Sequence, residues 1–368
     1  MLSGKMKASA GTPGASATAR TLSLALFSAF LIVFYLAWVN RDSIQIPNVD
    51  RLYPPNFSLL GTSNSNSSGA APSNQRHAFA TLLAGIADPD DRPINDDDDG
   101  YFMSTRVMVY QLLHAANTSV PAAIDVVVFA TPYVPNHQLE RLERDGAKVI
   151  VVDPITTKSA PGDVRWQLSL SRFHLWEHEE YDKICYIDAD TLITGDLSGV
   201  FADPASEHKY TDSERDAVRD DEEALPSTYL FAGKPEAFGF DHPFPPNDDD
   251  MLNAGFFVAS PSVGMYNYYM DLVNKPDRVD LGFMDQGVFN YAHRKDGNMP
   301  WQVLDPKWNI NFATENDYDQ GCRSFHDKYW DGKGDNGDAD PFLKKIWQLQ
   351  KRDMLAYYKQ LEDDTWFR

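Results

Sequence analysis

An α/β fold, with a mostly parallel mixed sheet flanked by helices, is what this sequence predicts. Three observations predict it. Short apolar runs of strand length recur at 78–83, 124–130, 148–152 and 183–187. Stretches with apolar residues at helical spacing lie between them, the order of strand–helix–strand units. The fourth run ends directly on Asp188, and in sheets of this kind ligands bind beyond the carboxyl ends of the strands.

The elements follow in order. Residues 78–83 (AFATLL) are an apolar run between polar flanks, a buried strand by length. Residues 103–116 read as a helix, and 124–130 (IDVVVFA) as a β-branched strand. Residues 136–145 form a polar-faced helix with Gly146 placed as its C-terminal cap. A strand at 148–152 (KVIVV), a helix at 166–178 and a strand at 183–187 (KICYI) complete the alternation. Beyond them, 227–232 and 256–259 read as strands and 284–293 as a helix. Residues 341–360 carry apolar side chains at helical spacing, an amphipathic helix packed on the domain surface. Neither a GxGxxG nor a Walker loop follows the first strand, so dinucleotide and P-loop chemistry have no support.

The 368 residues hold one large α/β domain with added segments, or two small domains. With 33 basic and 54 acidic residues the net charge is −21. That balance argues against nucleic acid as a partner, because phosphate backbones are bound by clustered Lys and Arg. Acidic runs at 96–99, 220–223 and 248–250 read as solvated loop charge. Cys185 and Cys322 are too few for a disulfide framework. Cys185 lies in the apolar fourth strand and reads as a buried free thiol, with a Cys185–Cys322 bridge as the alternative.

Residues 21–39 (TLSLALFSAFLIVFYLAWV) are an uncharged run of 19 residues. As a helix the run spans roughly 28 Å, against a bilayer core of about 30 Å. Lys5, Lys7 and Arg20 precede it and no acidic residue occurs before Asp42, which places the N-terminus in the cytosol. It is longer than the core of a cleavable signal peptide and lacks the small-x-small site that would follow one. Residues 1–20 then form a cytosolic tail, 21–39 a signal anchor, and 40–76, rich in Pro, Asn, Ser and Gly, a flexible stem. A folded domain at 77–335 and the helical segment at 336–368 follow. Glycosylation sequons at Asn56, Asn66 and Asn117 fit a luminal location. Tail, anchor, stem and luminal domain is the layout of a single-pass type II Golgi enzyme.

The chemistry centres on Tyr186-Ile187-Asp188-Ala189-Asp190-Thr191-Leu192. Two ionised carboxylates at the end of a buried strand are costly without a cation. Hard oxygen ligands suit Mg²⁺ or Mn²⁺. An Asp-x-Asp pair alone is commonly surface loop; the apolar strand in front of it makes this one a site. A phosphatase of the haloacid dehalogenase type also sets such a pair at a strand end, its first Asp acting as nucleophile. That chemistry wants Thr or Val where this chain has Leu192, and the first strand where this chain uses its fourth.

Several further stretches accompany the pair in a fixed order: AFATLL, GYFMSTRVMVYQLLH, SRFHLWEHEEYDKICYIDADTL, LNAGFFVASPS, GFMDQGVFN and FHDKYW. In that order, from about Ala78 to Trp330, the chain resembles the family 8 glycosyltransferases, the group that contains glycogenin. Its look is closest to fungal Golgi N-acetylglucosaminyltransferase-like members. The resemblance implies a GT-A fold, a UDP-sugar donor and a divalent metal. Asp188 and Asp190 would hold Mn²⁺, or Mg²⁺, with His326 as third ligand; an imidazole suits Mn²⁺ better. Leu82 and Leu83 would line the nucleobase pocket and Tyr101 would stack on uracil. Ala189, Asn253 and Ala254 would contact the donor, with Asp285 and Gln286 near the anomeric centre. Arg172 stands where many members carry Lys, and Lys328 follows His326 sooner than the corresponding Lys in glycogenin. Both would sit at the diphosphate.

The function these features imply is retaining transfer of a hexosyl or N-acetylhexosaminyl unit from a UDP-sugar to a luminal glycan or glycoprotein. Glucose, galactose and N-acetylglucosamine donors all occur in the family. A membrane-tethered, non-catalytic sugar-binding protein on the same fold is the alternative.

Overall fold

The computed structural model describes residues 75–158, 167–217, 219–247, 250–330 and 339–366. The expected tail, anchor and all but the last two residues of the stem lie outside these. Among the described residues no helix is long and apolar enough to cross a membrane.

The chain runs β1 (His77–Leu83), α1 (Gly100–Leu113), β2 (Ile124–Ala130), α2 (Asn136–Arg144), β3 (Lys148–Val151), then a 3₁₀ helix (Leu168–Glu177) and β4 (Lys183–Ile187). Next come β5 (Thr191–Ile193), a small ladder of β6 (Lys209–Tyr210) with β7 (Thr228–Tyr229), β8 (Phe231–Pro235) and β9 (Leu252–Ala259). Helices α3 (Val263–Val273) and α4 (Met284–Ala292) precede β10 (Gln302–Val303), β11 (Ile310–Asn311), α5 (Glu315–Asp319), β12 (Ser324–His326) and α6 (Pro341–Trp366).

Seven strands form the main sheet in the order β10-β8-β9-β4-β1-β2-β3. Strand β1 pairs in parallel with β2 and β4, and β2 with β3. Strand β9 is inserted antiparallel between β4 and β8. Successive side chains of a strand point to opposite faces, so each strand feeds two cores. One contains Phe173, Trp176, Phe231, Phe257, Tyr269 and Phe289; the other contains Phe79, Phe102, Val128, Ile187, Phe256 and Trp308. A second sheet of β11, β12 and β5 lies beside the end of β4.

Some local signals hold where the sequence placed them, whereas α1 runs Gly100–Leu113 and so starts and ends three residues before the expected 103–116. Gly146 closes α2 with φ +106°, a conformation that favours glycine. Asp99 caps α1, accepting from the Phe102 N–H at 3.0 Å. Cys185 and Cys322 are both buried free thiols, so the bridge is not formed. The acidic runs do more than solvate loops. Asp96 accepts from Gln138, and Glu222 takes hydrogen bonds from Tyr268, Tyr291 and Arg278. The terminal helix runs six residues beyond the expected end and buries Leu343, Ile346, Trp347, Met354 and Tyr358. Its Tyr358 hydroxyl donates to the Asp145 carbonyl at 3.0 Å, docking it beside α2.

Candidate active site

Strand β4 ends at Ile187, which lies opposite Phe256 of β9. The Asp188 N–H then donates to the Gly255 carbonyl at 2.8 Å. Antiparallel pairing therefore sets Asn253, Ala254 and Gly255 directly beside the metal motif. On the other side, β5 pairs antiparallel with β12 so that Thr191 faces His326, and the Asp327 N–H donates to the Asp190 carbonyl at 3.0 Å. This ladder carries His326 to the carboxylates: its Nε2 is 3.0 Å from Asp190 Oδ1 and 3.7 Å from Asp188 Oδ2.

One ligand atom from each of Asp188, Asp190 and His326 lies within 4.8 Å of the others. Two carboxylate oxygens and one imidazole nitrogen fit a divalent cation, and the nitrogen favours Mn²⁺ over Mg²⁺. Gly255 makes the seat for the imidazole. A Cβ there would stand 2.4 Å from His326 Cε1 and Nδ1. Burial alone would lower the His326 pKa, but the facing Asp190 carboxylate overrides it and raises it to about 8. Asp190 is correspondingly lowered against its burial, chiefly by His326. A cation bound here must displace that proton.

Arg172, on the 3₁₀ helix, joins this cluster to a second one. Its Nη2 donates to Asp188 Oδ1 at 3.0 Å, and its Nη1 donates to the Ala254 carbonyl at 2.9 Å. Nη1 also lies 2.9 Å from Asp285 Oδ2, and the guanidinium sits 4.5 Å from the Tyr186 ring centroid. The Tyr186 hydroxyl adds a hydrogen bond to Asp188 Oδ1 at 2.8 Å. Expected at the diphosphate, Arg172 is 7% exposed, and its fork is turned onto Asp188 and Asp285 beside the metal triad.

Asp285 and Gln286 occupy the first turn of α4, after Met284 at φ +48°. Asp285 Oδ1 accepts from the Ser169 hydroxyl at 2.6 Å, while its buried Oδ2 receives no hydrogen-bond donor. Burial raises its pKa, opposed by Arg172. Gln286 Oε1 accepts from the Ala254 N–H at 2.9 Å and its Nε2 donates to Glu236 Oε2 at 2.9 Å. Asn253 is held alike: Oδ1 accepts from the Gly255 N–H at 3.0 Å and Nδ2 donates to Glu236 Oε2 at 2.9 Å. The metal triad, Arg172, Asn253, Ala254, Asp285 and Gln286 are thus one contiguous, hydrogen-bonded site.

Of the residues expected around the donor's base and diphosphate, Tyr101 and Lys328 lie near one another. Leu82 enters one core and Leu83 the other, because adjacent strand residues alternate. Their side chains therefore do not line one pocket together, which corrects that expectation. Tyr101, at the start of α1, packs against Trp330 at 4.9 Å, and Lys328 Nζ is 6.0 Å from its ring centroid. Gly100 admits the Trp330 indole, since a Cβ there would meet Nε1 at 2.1 Å. Ala189 is buried between the two aspartates. Sequence reasoning missed Ser169, Lys234, Glu236, Asn311 and the role of Trp330. Glu236 follows Pro235 and looks like turn punctuation in the sequence; nothing local marks it.

Residues 96–329 match the family model described as Glycosyl transferase family 8. The chain belongs to that family. It is therefore a glycosyltransferase, and the sheet arrangement is the GT-A fold expected of it. Among curated relatives, the transferase is 27% identical to the uncharacterized protein C4C3.09 of Schizosaccharomyces pombe, over 71% of this chain and 76% of that protein. It is 26% identical to human glycogenin-1 over 45% of this chain and 38% of that one. It is 30% identical to a putative glucuronosyltransferase, PGSIP7, of Arabidopsis thaliana over 27% and 20% of the two chains. The solved glycosyltransferase GlyE of Streptococcus pneumoniae aligns with a TM-score of 0.45 at 13% identity, covering 78% of this chain and 64% of that one.

Proposed function

We propose that this transferase moves a hexosyl or N-acetylhexosaminyl unit from a UDP-sugar to a glycan or glycoprotein acceptor, with retention of anomeric configuration and with Mn²⁺ as the metal. The observation that carries the reading is the joining of the Asp188–Asp190–His326 triad to Asp285 and Gln286 through Arg172. A bound Mn²⁺ would offset the charge that grows on the departing diphosphate. Asp188, Asp190 and His326 would hold it, with Arg172 and Tyr186 keeping Asp188 in one orientation. Asp285, whose Oδ2 accepts no hydrogen bond and is ion-paired with Arg172, would help to stabilise positive charge developing at the anomeric carbon. Gln286 and Asn253, each with its amide oxygen fixed on a β9 N–H, position the sugar. Tyr101 and Trp330 offer aromatic surface for the base, and Lys328 adds positive charge beside it. Residues 21–39 would anchor the enzyme in the Golgi membrane with this domain in the lumen.

The test is Mn²⁺-dependent hydrolysis of a panel of UDP-sugars by the full chain in detergent. Asp190→Ala should reduce turnover by ~100- to 1000-fold, the scale of one lost charge-stabilising element. Undiminished turnover would sink the metal assignment.

A further inference from the structure

Behind the sugar side of the site lies a polar network that the metal chemistry does not use. Glu236 Oε2 accepts from Asn253 Nδ2 and Gln286 Nε2, both at 2.9 Å, and its Oε1 accepts from Asn311 Nδ2. Asn311 Oδ1 accepts in turn from Lys234 Nζ at 2.6 Å and from the Ala237 N–H at 3.1 Å. Lys234 is 5% exposed, a buried cation one amide removed from the carboxylate it balances. Asn311 stands opposite His326 in the β11–β12 ladder, so the network and the metal triad share one support.

This wiring fixes the electrostatics of the pocket. Asn253 and Gln286 are neutral. The two cations that touch the wall are engaged: Arg172 with Asp188 and Asp285, Lys234 with Asn311 in the field of Glu236. A sugar seated against Asn253 and Gln286 therefore meets the carboxylates of Glu236 and Asp285. A uronic acid would bring a further carboxylate against Glu236 and Asp285, whose neighbouring cations Lys234 and Arg172 are already engaged, and that added like charge is disfavoured.

We propose that Glu236, held through Asn311 by Lys234, is the specificity-determining residue of the donor pocket and restricts the transferase to uncharged sugars, excluding UDP-glucuronate. The inference rests on the proposed UDP-sugar reading, and it separates this chain from those relatives named as glucuronosyltransferases.

The experiment measures Mn²⁺-dependent hydrolysis of UDP-glucose, UDP-galactose, UDP-N-acetylglucosamine and UDP-glucuronate by the full chain, with UDP affinity measured calorimetrically. The wild type should turn over at least one neutral donor ~100-fold faster than UDP-glucuronate, the scale of a like-charge clash. Glu236→Gln should narrow that ratio at least ~10-fold with UDP affinity unchanged, because it removes the clash and keeps the shape. Glu236→Asp, which keeps the charge, should preserve the preference. A wild type that prefers UDP-glucuronate, a ratio unmoved in Glu236→Gln, or a ratio equally lost in Glu236→Asp overturns the proposal alone. A wild type that binds UDP and hydrolyses no donor overturns the transferase reading and this role with it.

Discussion

At the metal end of the site, Asp188 and Asp190 sit on one turn between β4 and β5, and only His326 arrives from elsewhere in the chain. At the sugar end, a single carboxylate, Glu236, collects side chains from β9, α4 and β11. The metal end concentrates negative charge, two carboxylates converging on one imidazole. The sugar end is closed by neutral amides with their hydrogen bonds made within the protein. Arg172 spans the two, bonded to Asp188 and in ion-pair contact with Asp285. The difference teaches that one site can be preorganised in two ways: by converging charge, or by mutually fixing polar groups.

The largest effect should come from cutting the link. Arg172→Met leaves Asp188 and Asp285 without their shared cation, and breaking a buried pair costs about 3–5 kcal/mol. Urea unfolding of the variant measures it; a loss under about 1 kcal/mol would mean that the two ends are held independently.

Acid should act next, from the sugar end's helix. His293 caps the end of α4 remote from Asp285, donating from Nδ1 to the Met299 carbonyl at 2.8 Å and meeting the Tyr269 hydroxyl through Nε2 at 2.5 Å. Burial pushes its pKa down to about 4 from 6.5. The folded state therefore keeps it neutral while the unfolded chain protonates. Stability present above pH 6.5 is lost as pH falls from there toward 4, by about 3 kcal/mol in all. Unfolding free energies at pH 7 and 4.5 should fall less in His293→Phe than in the wild type; equal slopes would contradict the assignment.

The smallest effect should confine itself to the metal end. Gly255→Ala pushes a Cβ into the His326 imidazole and should weaken Mn²⁺ binding by ~10- to 100-fold, as displaced ligand supports do. Manganese titration followed by paramagnetic resonance checks it. Unchanged affinity would show that His326 has room to move without leaving the ion.

Much of the fold was legible because its signals are local. The β-branched run at 124–130 and the apolar run at 183–187 became strands with the expected bounds, and Gly146 took its left-handed cap. Metal ligands were legible too, since a carboxylate pair after a buried strand is a charge problem visible in a few residues. Other parts were not. Strand β9 is buried along its whole length, so its apolar pattern carries no trace of its direction. The helix at 168–177 proved to be 3₁₀, and its Arg172 points at carboxylates far along the chain.

By itself, then, the sequence determined the alternation of elements, the family, and the place of Asp188 and Asp190 at the end of β4, because periodicity and charge are shared among chain neighbours. Tertiary structure alone decided that Arg172 links Asp188 to Asp285. It alone drew Glu236, Asn311 and Lys234 together with Asn253 and Gln286. Those outcomes depend on the antiparallel register of β9 between β4 and β8, and register is set by contacts between residues the chain holds far apart.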